Sequence, residues 1–185
     1  HIFHFRGGMA GDLIFRGITF LGDGLFAFIL VILIGLIKIR YSIYLLITFA
    51  FSGIIVQLMK RLIFPDALRP LLYFERIGIN LEEISGYENH FYYSFTSGHT
   101  ATAFAIFFGI AFIIKKEYLK YLFLILSIII GYSRIYLHEH FPEDVLGGSL
   151  MGVIAVVLFY PVVFSWKKSW LDLSYQSLIL RKKNE

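Results

Sequence analysis

The residues able to do chemistry collect in two stretches of this 185-residue chain, 60–99 and 133–144. His140 and Asp144 are four apart at the start of a helix that Pro142 can open, which places their side chains one turn apart on one face. A carboxylate in that position can hold one imidazole nitrogen protonated and leave the other free as a nucleophile or base. Ser97 is a good helix N-cap and Gly98 lets a backbone N–H approach a ligand closely. Thr96-Ser97-Gly98-His99 therefore offers free amides and a positive dipole end to an anion, and phosphate is the tetrahedral anion that suits it. Arg134 can supply the planar fork that a pair of phosphate oxygens accepts, and Lys60, Arg61 and Arg69-Pro70 add further cations. Each feature also has an ordinary reading: a capped helix, an acid at a helix start, an arginine snorkelling to an interface. Their delivery by three separate segments to one place argues for a functional site.

The elements that must position these residues are membrane helices. Hydrophobic residues make up 58% of the chain and charged residues 16%, with a mean hydropathy of +0.73. A soluble domain carries about 25% charged residues, so the excess apolar surface must face lipid. With 20 Phe and 12 Tyr against 4 Pro the chain is neither disordered nor collagen-like, and the absence of Cys excludes disulfides, thiolate metal sites and cysteine nucleophiles. Residues 41–59 and 145–166 are uncharged over lengths that cross a hydrocarbon core, which needs about 20 residues.

Residues 100–114 and the shorter runs 24–37 and 121–133 complete five spans, because five crossings sort the basic residues by side. Ten of them (Lys38, Arg40, Lys115, Lys116, Lys120, Lys167, Lys168, Arg181, Lys182 and Lys183) share one face with Glu117, Asp172 and Glu185, for a net +7. The opposite loops hold five basic and eight acidic residues, net −3, which makes the first face cytoplasmic and puts the chemistry outside. Leu13, Ile14, Gly17, Ile18 and Leu21 surround Arg16 at helical spacing and read as an interfacial amphipathic helix or the flank of a removed span. The chain begins at His1 without an initiator Met or a signal segment, which leaves room for a missing upstream piece. With no repeat, linker or low-complexity tract, residues 1–185 read as one all-α, polytopic transmembrane bundle.

The pattern Ser133-Arg134, five residues, His140, three residues, Asp144, preceded by Ser97-Gly98-His99, resembles the signature of the type 2 phosphatidic acid phosphatase superfamily. That family's motifs read Lys, six residues, Arg-Pro; Pro-Ser-Gly-His; and Ser-Arg, five residues, His, three residues, Asp. The resemblance runs from about residue 22 to about residue 160, and the third motif matches at every fixed position. Two departures stand out. Lys60 and Arg69 are separated by eight residues, with Lys60 preferred over Arg61 because it directly ends the span, and Thr96 stands where the family has Pro. The family usually has six spans.

The resemblance implies that His140 attacks phosphorus to form a phosphohistidine, with Asp144 orienting it, while His99 protonates the leaving alkoxide and later activates water. It also implies that Lys60, Arg69, Ser97, the Gly98 amide and Arg134 bind the phosphoryl oxygens, with no metal and no cofactor required. The implied partners are the bilayer and a lipid phosphate, whether a phospholipid, a polyprenyl diphosphate or a lipid A phosphate, and not nucleic acid. The implied location is a bacterial inner membrane with the site facing the periplasm or exterior. Soluble vanadium-dependent haloperoxidases share the constellation, but five spans speak against one. The competing class is a transporter or phosphate-binding membrane protein that uses these residues without turnover.

Other polar residues take plainer roles. His138 and His140 form a His-x-His pair with only Glu139 and Glu143 nearby, a poor ligand set for a metal. His90, Glu82, Glu83 and Glu88 solvate the outer loop, Asp23 marks a turn or cap, and Gly147, Gly148 and Gly152 allow close helix packing.

Overall fold

The computed structural model describes residues 7–82, 84, 87 and 90–183; Glu83, Glu88 and Glu185 of the charge count, and the side chains of 181–183, lie outside that description. The described residues form helices and no strand. Helices α1 (Gly8–Phe20) and α2 (Gly24–Ile34) are followed by α3 (Ile39–Leu58), which ends in a π-turn (Met59–Ile63), and by the short α4 (Pro70–Arg76). Next come α5 (Gly98–Ala103), a π-turn (Phe104–Phe108) and α6 (Gly109–Ile113), then α7 (Glu117–Tyr136), α8 (Pro142–Phe164), a 3-10 turn (Ser169–Asp172) and α9 (Tyr175–Lys183).

Among the described residues, three helices are long and apolar enough to cross a membrane: Ile39–Ile63, Glu117–Tyr136 and Pro142–Phe164. The run expected to span at 24–37 is instead the second half of a bent pair, α1 and α2, which meet at 54° and are long and apolar enough to span only together. The bend has a local cause. Asp23 caps α2, its carboxylate accepting from the Leu25 amide at 2.8 Å, so the chain restarts a helix there instead of continuing one. The expected span at 100–114 becomes the rod Gly98–Ile113, shorter than the other three. At 1.5 Å per residue it reaches about 24 Å, against about 30 Å of hydrocarbon.

The core lies where α3 and α5 pack on α8, around Tyr44, Leu45, Ala103, Ile106 and Val156. Tyr44 is fully buried, and its hydroxyl donates to the Val156 carbonyl at 3.1 Å. The close approach of α8 to α5 depends on glycine, as the sequence suggested. A Cβ at Gly148 would lie 2.4 Å from the Ser97 carbonyl oxygen, and one at Gly152 would lie 2.5 Å from Phe104 Cβ and 2.8 Å from the Ala101 oxygen. The expected interfacial helix α1 is docked on α7: Phe15 stacks on Tyr136 at 4.2 Å, and the Tyr136 hydroxyl donates to Asp12 at 2.8 Å. Its other face, with Met9 and Leu13, stays exposed.

The two ends of the bundle differ chemically. At the end holding the start of α3, buried Arg40 forks onto Asp172 (3.0 and 2.9 Å) and donates to the Val163 and Trp166 carbonyls at the end of α8. Arg40 and Lys38 hold the Asp172 carboxyl well below the ordinary carboxylate range. The other end carries the histidines.

Candidate active site

Each side chain of the site is set by a local device. Helix α7 ends in a Schellman turn: the Glu139 amide donates to the Arg134 carbonyl at 3.0 Å and the His138 amide to that of Ile135 at 3.0 Å, with His138 left-handed at φ 57°. The chain reverses there, so Glu139 and His140 come back beside Arg134. The buried His138 belongs to this turn, and among the described residues no group of three His, Asp or Glu side chains could hold a metal ion.

Helix α8 opens at Pro142, two residues after His140. The nucleophile candidate thus sits in the turn before the helix, while Asp144 occupies its first turn. The Asp144 carboxylate reaches back as half of a capping box, Oδ2 accepting from the Phe141 amide at 2.9 Å. The same oxygen lies 3.4 Å from His140 Nδ1 and accepts from the Ser94 hydroxyl. With Nδ1 holding its proton toward Asp144, the His140 Nε2 lone pair is available.

Ser97 caps α5 as expected, accepting from the Thr100 amide at 3.5 Å and the Thr100 hydroxyl at 2.9 Å, which leaves its own proton to donate. Its amide is held by the Asp144 carbonyl at 3.0 Å, so the two motifs are stitched through backbone. A Cβ at Gly98 would meet only Val56 Cγ1 at 3.8 Å, so packing does not demand glycine there. The Phe95-Thr96 peptide that leads into this motif is cis.

The first motif enters on the loop around α4. Arg69 caps that helix ahead of Pro70, its amide donating to the Phe91 carbonyl and its Nε to the Tyr92 carbonyl, both at 2.9 Å. Lys60 sits half-buried in the π-turn that ends α3, whereas Arg61 is exposed.

Electrostatics bring these groups together. Burial, and after it Arg69, Arg134, Lys60 and His99, hold the His140 imidazole well below its ordinary 6.5, so it is neutral in neutral water. His140 is 1% exposed, and a buried neutral imidazole ringed by cations is suited to attack an anion that those cations bind.

Several residues of the site escaped the sequence reading. Glu139 is a fully buried carboxylate paired with Arg69 and lying 3.3 Å from Arg134 Nη2. Arg134 Nη1 donates to Thr19 at 2.7 Å and to the Tyr87 hydroxyl at 3.0 Å, while its Nε is buried without a hydrogen-bond partner among the described residues. Only Glu139 had a visible signal, its place beside His140. Thr19, Tyr87 and Ser94 have none, because nothing in their own neighbourhoods marks them.

Comparison with known proteins bears on the same segments. The family description "PAP2 superfamily" matches residues 40–168, from the start of α3 to just beyond α8. The chain belongs to the PAP2 superfamily. This PAP2 protein is 36% identical over 92 residues to a bacitracin transport permease protein BcrC of Bacillus licheniformis, covering 50% of this chain and 42% of that one. It is 30% identical over 109 residues to a lipid A 1-phosphatase of Rhizobium johnstonii, covering 59% of this chain and 42% of that one. The chain therefore spans less than half the length of these curated relatives. In fold it is similar to Aquifex aeolicus LpxE (TM-score 0.69, 27% identity, 89% of this chain and 91% of that one). It also shares its fold with a transmembrane PAP2-type phosphatidylglycerolphosphate phosphatase of Bacillus subtilis (TM-score 0.72, 23% identity, 91% and 83%). With three spanning helices and this membership, the PAP2 protein is an integral membrane protein, and the all-α bundle expected from its composition is the one observed.

Proposed function

We propose that the chain, as a single integral-membrane domain over residues 1–185, hydrolyses a phosphomonoester or diphosphate of a membrane lipid. The observation that carries this reading is buried His140, held 3.4 Å from Asp144 and within the electrostatic influence of Arg69, Arg134, Lys60 and His99. The cations and the Ser97 hydroxyl bind the phosphoryl oxygens and neutralise the charge that grows in the transition state. His140 Nε2 attacks phosphorus as the bond to the lipid oxygen breaks, and His99 gives its proton to that oxygen. His99 then takes a proton from water, whose oxygen attacks the phosphohistidine, releasing phosphate and free His140. The arriving phosphoryl group brings the negative charge that lets His99 hold a proton beside so many cations.

A lipid substrate fits the surroundings. An open apolar groove along α3 and its π-turn, lined by Phe49, Gly53, Ile54, Leu58 and Leu62 with Arg61, suits an acyl or polyprenyl chain. Relatives are named undecaprenyl-diphosphatase, lipid A 1-phosphatase and phosphatidylglycerophosphatase B, which sets the substrate classes to try. The charge asymmetry of +7 against −3 supports a site on the extracytoplasmic face of a bacterial inner membrane. A second reading, phosphate binding or transport without turnover, draws on the relative named as a bacitracin transport permease.

Phosphate release decides between them. In detergent, the chain should release phosphate from at least one of phosphatidic acid, phosphatidylglycerol phosphate, a polyprenyl diphosphate and a lipid A phosphate, with acid-labile phosphate trapped on wild type and absent from His140→Asn. Binding of phosphate with no release from any of the four would support the transporter instead.

A further inference from the structure

Glu139 is the one fully buried carboxylate among the described residues, and it sits inside the cluster of cations assigned above to phosphoryl binding. Its Oε2 is paired with Arg69 Nη1 and lies 3.3 Å from Arg134 Nη2, so two guanidinium groups from different segments converge on a single oxygen. That is the contact by which a pair of arginines holds a phosphoryl oxygen. Its other oxygen, Oε1, lies 3.6 Å from His90 Nδ1 and makes no hydrogen bond among the described residues. Some of the other donors of the two arginines are committed elsewhere. Arg69 Nε is on the Tyr92 carbonyl and Arg134 Nη1 is on Thr19 and Tyr87, while the buried Arg134 Nε has no hydrogen-bond partner among the described residues. A phosphoryl group entering this cluster must therefore share, or take, cations that a carboxylate already holds.

Both partners have a reason for the arrangement. A buried carboxylate is costly without a cation, and two guanidinium groups facing each other in a dry site repel unless an anion lies between them. The carboxylate satisfies both needs while the site is empty. Once a phosphoryl dianion arrives, the same carboxylate becomes a like charge within contact distance of the ligand's own cations.

Resting on the phosphatase reading above, we propose that Glu139 is the resident counter-anion of the site, competing with phosphate for Arg69 and Arg134 and thereby keeping the product from being held too tightly. The alternative role, a brace that merely props the two arginines, has the opposite consequence. Removing a competitor tightens phosphate binding, whereas removing a brace loosens it.

The test is Glu139→Gln, which keeps the shape and one accepting oxygen but removes the charge. Dissociation constants for inorganic phosphate and for vanadate are measured on the detergent-solubilised chain by ligand-induced thermal shift and by inhibition. They should fall about tenfold or more relative to wild type. Turnover of the lipid phosphate should fall as phosphate release becomes limiting, while the initial burst of released alcohol persists. Glu139→Asp draws the charge back from the arginines by one methylene and should tighten phosphate by a smaller factor, which keeps the test available if the Gln variant fails to fold. Unchanged or weaker phosphate binding in a folded variant overturns the proposal while leaving the phosphatase reading intact. A wild-type chain that neither binds phosphate nor hydrolyses any lipid phosphate overturns both.

Discussion

Asp144 holds His140 through the same oxygen that caps the helix: Oδ2 lies 3.4 Å from His140 Nδ1 and 2.9 Å from the Phe141 amide. The orientation of the nucleophile candidate and the start of α8 thus depend on one atom. Asp144→Asn should lower turnover roughly a hundred- to ten-thousand-fold, because the wrong nitrogen of His140 can then carry the proton. Loss of the charged cap should also reduce stability by about 0.5–2 kcal/mol, read as a lower melting temperature in detergent. Wild-type turnover in a folded Asp144→Asn variant would show that His140 needs no orienting carboxylate.

A general acid matters in proportion to how badly the leaving group needs a proton. His99→Asn should therefore cripple hydrolysis of a lipid phosphate far more than burst release of the phenol from an activated aryl phosphate. His140→Asn should damage both equally. Equal losses for the two leaving groups in His99→Asn would make this residue a phosphate ligand and not the acid.

The pH response follows from the buried, cation-ringed imidazole. His140 is held well below its ordinary 6.5, first by burial and then by Arg69, Arg134, Lys60 and His99. As pH falls below about 6.5 the unfolded chain takes up a proton that the folded chain refuses, so stability is full above that pH and declines below it. This one group contributes up to about 1.4 kcal/mol per pH unit. The wild-type melting temperature should drop between pH 7.5 and 5.5, and His140→Asn should drop less. Parallel curves for the two proteins would place the proton uptake elsewhere.

Two glycines should differ in what alanine does to stability. At Gly148 the new Cβ would lie 2.4 Å from the Ser97 carbonyl oxygen, so Gly148→Ala should push α8 off the cap of α5, destabilise by about 1–3 kcal/mol and lower activity. At Gly98 the Cβ would meet only Val56 at 3.8 Å, so Gly98→Ala should melt like wild type and lose activity only through the approach of phosphate to the amide. Equal melting temperatures for both variants would contradict the close crossing of α8 on α5.

Sidedness can be read by labelling. A cysteine introduced in the loop of residues 82–90 should react with a membrane-impermeant thiol reagent in intact cells, and one at Lys116 only after permeabilisation. The reverse pattern would turn the site toward the cytoplasm.

The solvent of the protein and the types of chemistry available were legible along the chain, because hydropathy, capping and motif spacing act over a few residues. The cap at Ser97, the break at Asp23 and the small residues of α8 were all legible, since each depends on its own neighbours along the chain. The pairing of His140 with Asp144 was legible for the same reason, only four residues separating them. Tertiary packing decided the rest. Arg134 meets Thr19 across 115 residues, Arg69 meets Glu139 across 70 and Asp144 meets Ser94 across 50. No local pattern encodes such meetings, because they exist only once α1 is docked on α7 and the loop carrying Arg69 has folded over the start of α8. The spans divide in the same way: the longest apolar runs and the break at Asp23 show along the chain, whereas the docking of α1 on α7, with Phe15 stacked on Tyr136, is a matter of packing. Glu139 shows the boundary most plainly, since its place beside His140 is written in the sequence while its burial between two arginines is a property of the fold.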